Sequence, residues 1–335
     1  MNLKPNSKPA STYSLESKIL VIKLKKTKNL LILLGIFLFL FIVFFVVNPK
    51  VLLKTIQGTN LWYFLPVFLL CFPLVGFKAW RWQLLMKKQN IYYSLWSCFK
   101  MYSVGIFLSL VTPGKIGEAA KIFYLHQDKY SIRQSLITII LDRILDLAFL
   151  FIFAFIGFII FIHYFAQEVI YLSLAGIGIT ILFYIFIKAK LYYRLIGSLV
   201  PEKYQDTFIK HSRDFFADLK KYNFSSYLIG FILTILAWLI YILQIYFLSL
   251  ALGLNLKFLF LIPMIAVANI TSLLPISFNG LGTREAVFIF FFSLIGLSVE
   301  QATALGILQF SIGLFTAILG FSFWLKKPIR LKAND

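Results

Sequence analysis

Three short clusters in this chain set ionisable side chains beside backbone breakers or inside apolar runs. The first is Pro113-Gly114-Lys115-Ile116-Gly117-Glu118, with Lys121 three residues on. The second is Asp142-Arg143-Ile144-Leu145-Asp146, and the third is Gly280-Leu281-Gly282-Thr283-Arg284-Glu285, five residues after Pro275. Arginine offers a planar fork that suits phosphate, and lysine a compact ammonium. A helix that begins at a break aims free amides at an anion, and starts at Gly117 and Thr283 would do so here. Proline removes a donor and glycine allows unusual dihedrals, so both breaks leave backbone groups free. The chemistry on offer is anion recognition. Lys115, Lys121 and Arg284 would meet a phosphate, while Glu118 and Glu285 hold those cations or meet a cationic headgroup. Asp142 and Asp146 are four apart and share a helix face, with Arg143 adjacent, so they would gate or orient. A plainer reading stands beside this one. Glu118 pairs with Lys121, Arg284 pairs with Glu285 or a carbonyl, and the Asp-Arg-Asp cluster neutralises itself to fix helix packing.

The elements that must position these residues are membrane helices. The chain has 335 residues, 60% of them hydrophobic, 18% aromatic and only 14% charged, against roughly 25% charged in a soluble domain. Its apolar runs approach about 20 residues, the length that crosses a hydrocarbon core. The net charge of +20 sits in the tails and between apolar runs, as the positive-inside rule requires. It therefore points to anionic lipid rather than nucleic acid. Cys71 and Cys98 lie in apolar runs and read as buried thiols, and His126, His163 and His211 have no ligand spacing, so neither metal nor cofactor is expected.

In order, residues 1–28 form a basic cytoplasmic tail with seven lysines and one glutamate, and spans follow at about 30–47 and 61–79. The second ends in Lys78-Ala79-Trp80-Arg81-Trp82, where tryptophan beside cations reads as an interface belt. Arg81 belongs to that belt or contacts a headgroup. Residues 94–111 run into the Pro113-Gly114 break and return through 116–125 as a re-entrant hairpin. Non-helical backbone at membrane depth is tolerated only where protein buries it or it lines a wet cavity. A long helix over 134–165, a span at 169–187, a connection of two amphipathic surface helices over 188–222 and a span at 224–252 follow. A second interrupted hairpin occupies 257–297, a last span 301–324, and a basic cytoplasmic tail 326–335.

The two breaks share an order: Ser109-Leu110 then Pro113, Gly114 and Gly117, and Ser272-Leu273 then Pro275, Gly280 and Gly282. Paired interruptions in two halves point to a transporter's binding site and to an inverted repeat. The halves are about 29–166 and 167–325 of one membrane domain. The expected fold is an all-α polytopic membrane protein of about six to eight membrane helices, with two Pro/Gly-broken hairpins in an inverted repeat. For the second hairpin, full spanning of 258–274 and 284–297 satisfies the same charge parity as re-entrance.

The spacings Pro-Gly-x-x-Gly-Glu-x-x-Lys at 113–121, Asp-Arg-x-x-Asp at 142–146 and Gly-Leu-Gly-x-Arg-Glu at 280–285 resemble a known family. It is the transmembrane region of lysylphosphatidylglycerol synthases, also called flippase-like or UPF0104, and the likeness covers residues 30–325. The resemblance implies a multi-helix domain that moves lipid between leaflets, aminoacylated phosphatidylglycerol in the larger synthases and glycolipids, hopanoids or polyprenyl-linked sugars in other relatives. The chain ends eleven residues past the last predicted span, so no soluble aminoacyl-transferase domain is expected. The sequence thus predicts a lipid translocase in the cell's inner (plasma) membrane, both termini cytoplasmic, with membrane lipids of anionic headgroup as partners. Two alternatives stay open. One is an accessory subunit that feeds or anchors a lipid-modifying enzyme. The other is a membrane-embedded transferase with Glu118, Asp142 and Glu285 as acid or base.

Overall fold

A computed structural model describes residues 40–110, 112–160, 213, 215, 217–273 and 280–326. No strand occurs among the described residues, and the protein is an all-α polytopic membrane protein. Short α1 (Pro49–Gln57) precedes α2 (Phe64–Leu69) and α3 (Cys71–Lys87), which run on as one rod. The first hairpin comprises α4 (Leu95–Leu110), a 3-10 segment (Pro113–Ala120) and α5 (Lys121–Gln127). Then come α6 (Ile132–Ile160) and α7 (Phe224–Ala251), the second hairpin of α8 (Phe258–Ser272) and α9 (Thr283–Ser293), and the last helix, α10 (Val299–Lys326).

Local chemistry sets the ends. Asn223 caps α7 through the Ser226 amide, and Ser298 and Gln301 exchange side-chain bonds at the start of α10, a reciprocal capping box. At the far end of α7, Gly253 has φ 72° and the Leu254 amide reaches back to the Ser249 carbonyl, which closes the helix in a left-handed stop.

Among the described residues, three helices are long and apolar enough to cross a membrane: Leu61–Lys87, Phe224–Ala251 and Val299–Lys326. By contrast α4 has 16 residues and α8 has 15. At 1.5 Å per residue these arms reach about 24 and 22 Å, short of a hydrocarbon core of about 30 Å.

The packing repeats itself. The α3 rod lies on α7, α4 lies on α10, and α8 lies on α6. Exchanging each element with its counterpart in the other half (α3 with α7, α4 with α8, α6 with α10) leaves this scheme unchanged. The counterparts α3 and α7 run antiparallel. Asn60 bonds to Ala251, Gln244 to Val67, Arg81 to Thr234, and Tyr222 to Leu85, so one chain ascends as the other descends. Equivalent helices that run in opposite directions are the signature of an inverted-topology repeat. Both hairpin arms approach the last helix of the opposite half through a glycine. A Cβ built on Gly157 would lie 1.9 Å from the Cβ of Pro263, and one on Gly320 would lie 2.1 Å from the Ser103 carbonyl oxygen. Small residues let backbones meet closely where lipid supplies no hydrophobic drive.

Several expectations change. The second span does not stop at 79 but continues to Lys87, and Arg81 and Trp82 are fully buried rather than part of an interface belt; only Trp80 of that group is exposed. Two buried carboxylates draw Arg81 inward and override the belt reading. Gly117 does not start a helix with free amides. It lies inside the 3-10 segment, and its N–H donates to Thr112 Oγ1 at 2.7 Å. Both tails, most of the 30–47 span, the 169–187 span, most of the 188–222 connection and Pro275 lie outside the described residues.

Candidate functional site

Lys78 and Arg81 stand three residues apart on one face of α3. They face Asp142, Arg143 and Asp146 of α6, towards the Leu85–Tyr222 end of the antiparallel crossing. Arg81 Nε donates to Asp142 Oδ1 at 2.8 Å, and Nη1 donates to Asp146 Oδ1 at 2.8 Å and Thr234 Oγ1 at 2.7 Å. Buried carboxylates are tolerated when their lone pairs are satisfied. Here Tyr102 Oη donates to Asp142 Oδ2 at 2.9 Å and Trp238 Nε1 to Asp146 Oδ1 at 3.1 Å.

Two further cations complete the network. Lys121 of α5 reaches Asp142 Oδ2 at 3.3 Å, with its ammonium over the rings of Tyr102 at 3.8 Å and Trp82 at 4.9 Å. A cation desolvated between a carboxylate and aromatic faces is well held. Arg143 Nη2 donates to Glu118 Oε2 of the 3-10 segment and lies 3.6 Å from Asp146 Oδ2. Lys78 lies 3.5 Å from Asp146 Oδ2. Four cations (Lys78, Arg81, Lys121, Arg143) thus share three carboxylates (Glu118, Asp142, Asp146), leaving one surplus positive charge. Arg81 and Lys121 are sealed, whereas the side chains of Lys78 and Arg143 keep 18% and 28% of their surface.

That remaining surface opens into a cavity of ≈ 200 Å³ between the two hairpins, room for on the order of ten waters. Its lining includes Lys78, Glu118, Arg143 and Asp146, and also Asn269, Ser272, Arg284 and Gln309. Aliphatic residues such as Leu74, Leu147, Leu150 and Ile312 share the lining with Tyr102, Ser109, Tyr241 and Thr316, so the cavity is of mixed polarity.

The second break is built tightly. Gly280 and Gly282 have φ of 84° and 83°, and a Cβ on Gly280 would lie 2.2 Å from Ser272 Oγ. Only glycine fits both the backbone and the space. Glu285 Oε2 accepts from the Gly282 amide at 2.6 Å, and its Oε1 accepts from Arg284 Nη2 at 2.7 Å. Gly306 of α10 makes room for that carboxylate, since a Cβ there would lie 2.8 Å from Glu285 Oε1.

Of the residues singled out by sequence, Glu118, Arg143, Asp146 and Arg284 line the cavity. Arg81, Lys121 and Asp142 form the sealed layer behind them, and Glu285 holds Arg284 from behind. Lys121 is buried and so does not face the cavity as a phosphate ligand. Glu118 pairs chiefly with Arg143, with Lys121 more distant at 3.9 Å. Pro113, Gly114 and Lys115 lie within the 3-10 segment. Sequence reasoning missed Lys78, although its spacing from Arg81 places both on one face. It also missed Tyr102, Trp238, Asn269 and Gln309, whose uncharged polar groups give no signal in an apolar run.

The family described as the lysylphosphatidylglycerol synthase TM region matches residues 32–320. A UPF0104 membrane protein of Methanocaldococcus jannaschii is 23% identical over 320 residues, covering 90% of this chain and 95% of that one. A UPF0104 membrane protein of Pyrococcus horikoshii is 28% identical over 315 residues, covering 84% and 90%. No solved structure matches.

Proposed function

The chain belongs to the lysylphosphatidylglycerol synthase transmembrane-region family, and from that premise we propose that it is a lipid translocase. Its cargo is an anionic or aminoacylated phospholipid or a polyprenyl-linked lipid, whose phosphate passes through the cavity between the two broken hairpins. The observation that carries this reading is the surplus positive charge of the α3–α6 network, presented to the cavity by Arg143 and Lys78.

Arg143 and Arg284 both line the cavity, each held by a glutamate of a break, Glu118 and Glu285. A phosphate entering between them exchanges one glutamate contact for its own, so the cations stay paired throughout. Moving a bare charge through hydrocarbon is costly, and a cavity of matched polarity lowers that cost. The apolar lining beside it accepts the start of an acyl or prenyl chain. An inverted repeat gives two equivalent closures, one towards each leaflet, around a fixed site. The protein sits in the plasma membrane with both termini cytoplasmic.

Arg143→Gln tests this. The substitution removes the surplus charge at a side chain that keeps 28% of its surface, and the unfolding temperature measured beside transfer separates loss of the site from loss of the fold. Charge-assisted contacts contribute about 1.5–3 kcal/mol, so lipid movement should slow by roughly tenfold or more. The assay is dithionite quenching of tail-labelled phosphatidylglycerol in proteoliposomes. Wild-type transfer that the variant matches would overturn the assignment.

A further inference from the structure

A second cavity, of ≈ 180 Å³, lies apart from the central one, among the start of α4, the end of α5 and the end of α10. Lys100 of α4 and Lys326 of α10 both line it, together with Ser97 and Tyr93. Its acidic residue, Asp128, accepts the Tyr93 hydroxyl at 2.6 Å. Among the described residues neither lysine forms an ion pair; Lys100 instead stands 5.9 Å from the Trp96 ring. Among the described lining residues, two lysines stand against one carboxylate, Asp128.

Its position in the bilayer is readable. Trp96 is 59% exposed and stacks on Phe99, with Phe323 edge-on to both. Exposed tryptophan beside lysines at a helix end marks the headgroup level of a membrane. The same lining carries Met101, Val104 and Phe323 beside the lysines. A ligand that joins a phosphate to a hydrocarbon chain matches both kinds of lining.

We propose that Lys100, Lys326 and Ser97 form a second, stationary site for the phosphate of a singly charged anionic ligand, occupied by a membrane phospholipid at the end of the last span. The site joins the first hairpin to α10, the same pair whose close approach runs through Gly320. A lipid bound there braces the hairpin against the opposite half without being carried. This site stands whether or not the central cavity moves lipid.

The test is thermal stabilisation of the purified protein in neutral detergent, in the Arg143→Gln background so that the central cavity contributes least. The probes are dihexanoyl phosphatidylglycerol, dihexanoyl phosphatidylcholine and inorganic phosphate. The site predicts saturable stabilisation by the phosphatidylglycerol. Adding Lys100→Gln and Lys326→Gln weakens the apparent affinity at least tenfold, and Lys100→Arg with Lys326→Arg retains it. Both lysines retain surface, so these changes leave the core intact. Inorganic phosphate that stabilises as strongly as the lipid, and is lost in the same variant, reassigns the site to free phosphate. Equal stabilisation by both lipids that survives the double glutamine change overturns it.

Discussion

Arg81→Ala is expected to destabilise the protein by about 3–5 kcal/mol, the cost of leaving buried carboxylates without their partner. Arg81 is fully buried and bonds to Asp142, Asp146 and Thr234 at once. Its loss leaves two carboxylates on adjacent turns of α6, and the remaining cations cannot replace it. Lys78 reaches only Asp146, Lys121 only Asp142 and Glu118, and Arg143, drawn to Glu118, stays 3.6–3.8 Å from both aspartates. The side chain also ties α3, α6 and α7 together at the crossing of the two halves. Thermal unfolding in detergent should fall by roughly 5–15 °C, scaled from the usual dependence of Tm on stability. Asp146→Asn combined with Arg81→Met should recover part of the loss, because it neutralises one of the two carboxylates left by Arg81 while Asp142 keeps Lys121 and Tyr102. A shift below about 2 °C for Arg81→Ala would contradict the role given to this residue.

Gly117→Ala is the second large effect. A Cβ at Gly117 would lie 2.2 Å from the carbonyl carbon and oxygen of Leu108 and 2.5 Å from the amide of Ser109. These are backbone atoms, and no rotamer change relieves the overlap. The 3-10 segment has to lift from α4, which costs about 1–3 kcal/mol and sometimes more. Glu118, the next residue, then loses its position against Arg143. The variant should therefore lose both thermal stability and lipid movement. Gly76→Ala supplies the contrast. Nothing lies within 4 Å of its Cβ, and the residue is inside α3. Alanine there should leave movement unchanged and hold or raise stability, since glycine costs up to about 1 kcal/mol in a helix interior. Measuring unfolding temperature and transfer rate for both variants separates a local steric effect from a general sensitivity to substitution.

These cases show which features are legible in a sequence of this kind. The breaks were legible because Pro113, Gly114, Gly117, Gly280 and Gly282 interrupt apolar runs whose lengths follow from the bilayer. The end of α3 was not. Trp80-Arg81-Trp82 has the composition of a membrane interface, and composition cannot tell an arginine in headgroups from one between two aspartates 61 and 65 residues away. The inverted repeat was legible only as a matching order of residues. Its antiparallel crossing needed the pairings of Asn60 with Ala251 and of Tyr222 with Leu85. The layering of the site was also hidden. Lys121 and Arg143 carry the same charge in the same neighbourhood, yet one is sealed under Tyr102 and Trp82 while the other faces the cavity. Only the register of α5 against α6 separates them, and that register is set by packing.

The central claim is that the cavity between the hairpins holds an anionic headgroup on Arg143 and Lys78. Native mass spectrometry of gently purified protein tests it most directly. The measurement uses the Lys100→Gln, Lys326→Gln background, so that lipid at the second cavity does not contribute. One defined anionic lipid should remain on that protein and be lost when Arg143→Gln and Lys78→Gln are added. The same lipid retained in equal amount by both proteins would contradict the claim.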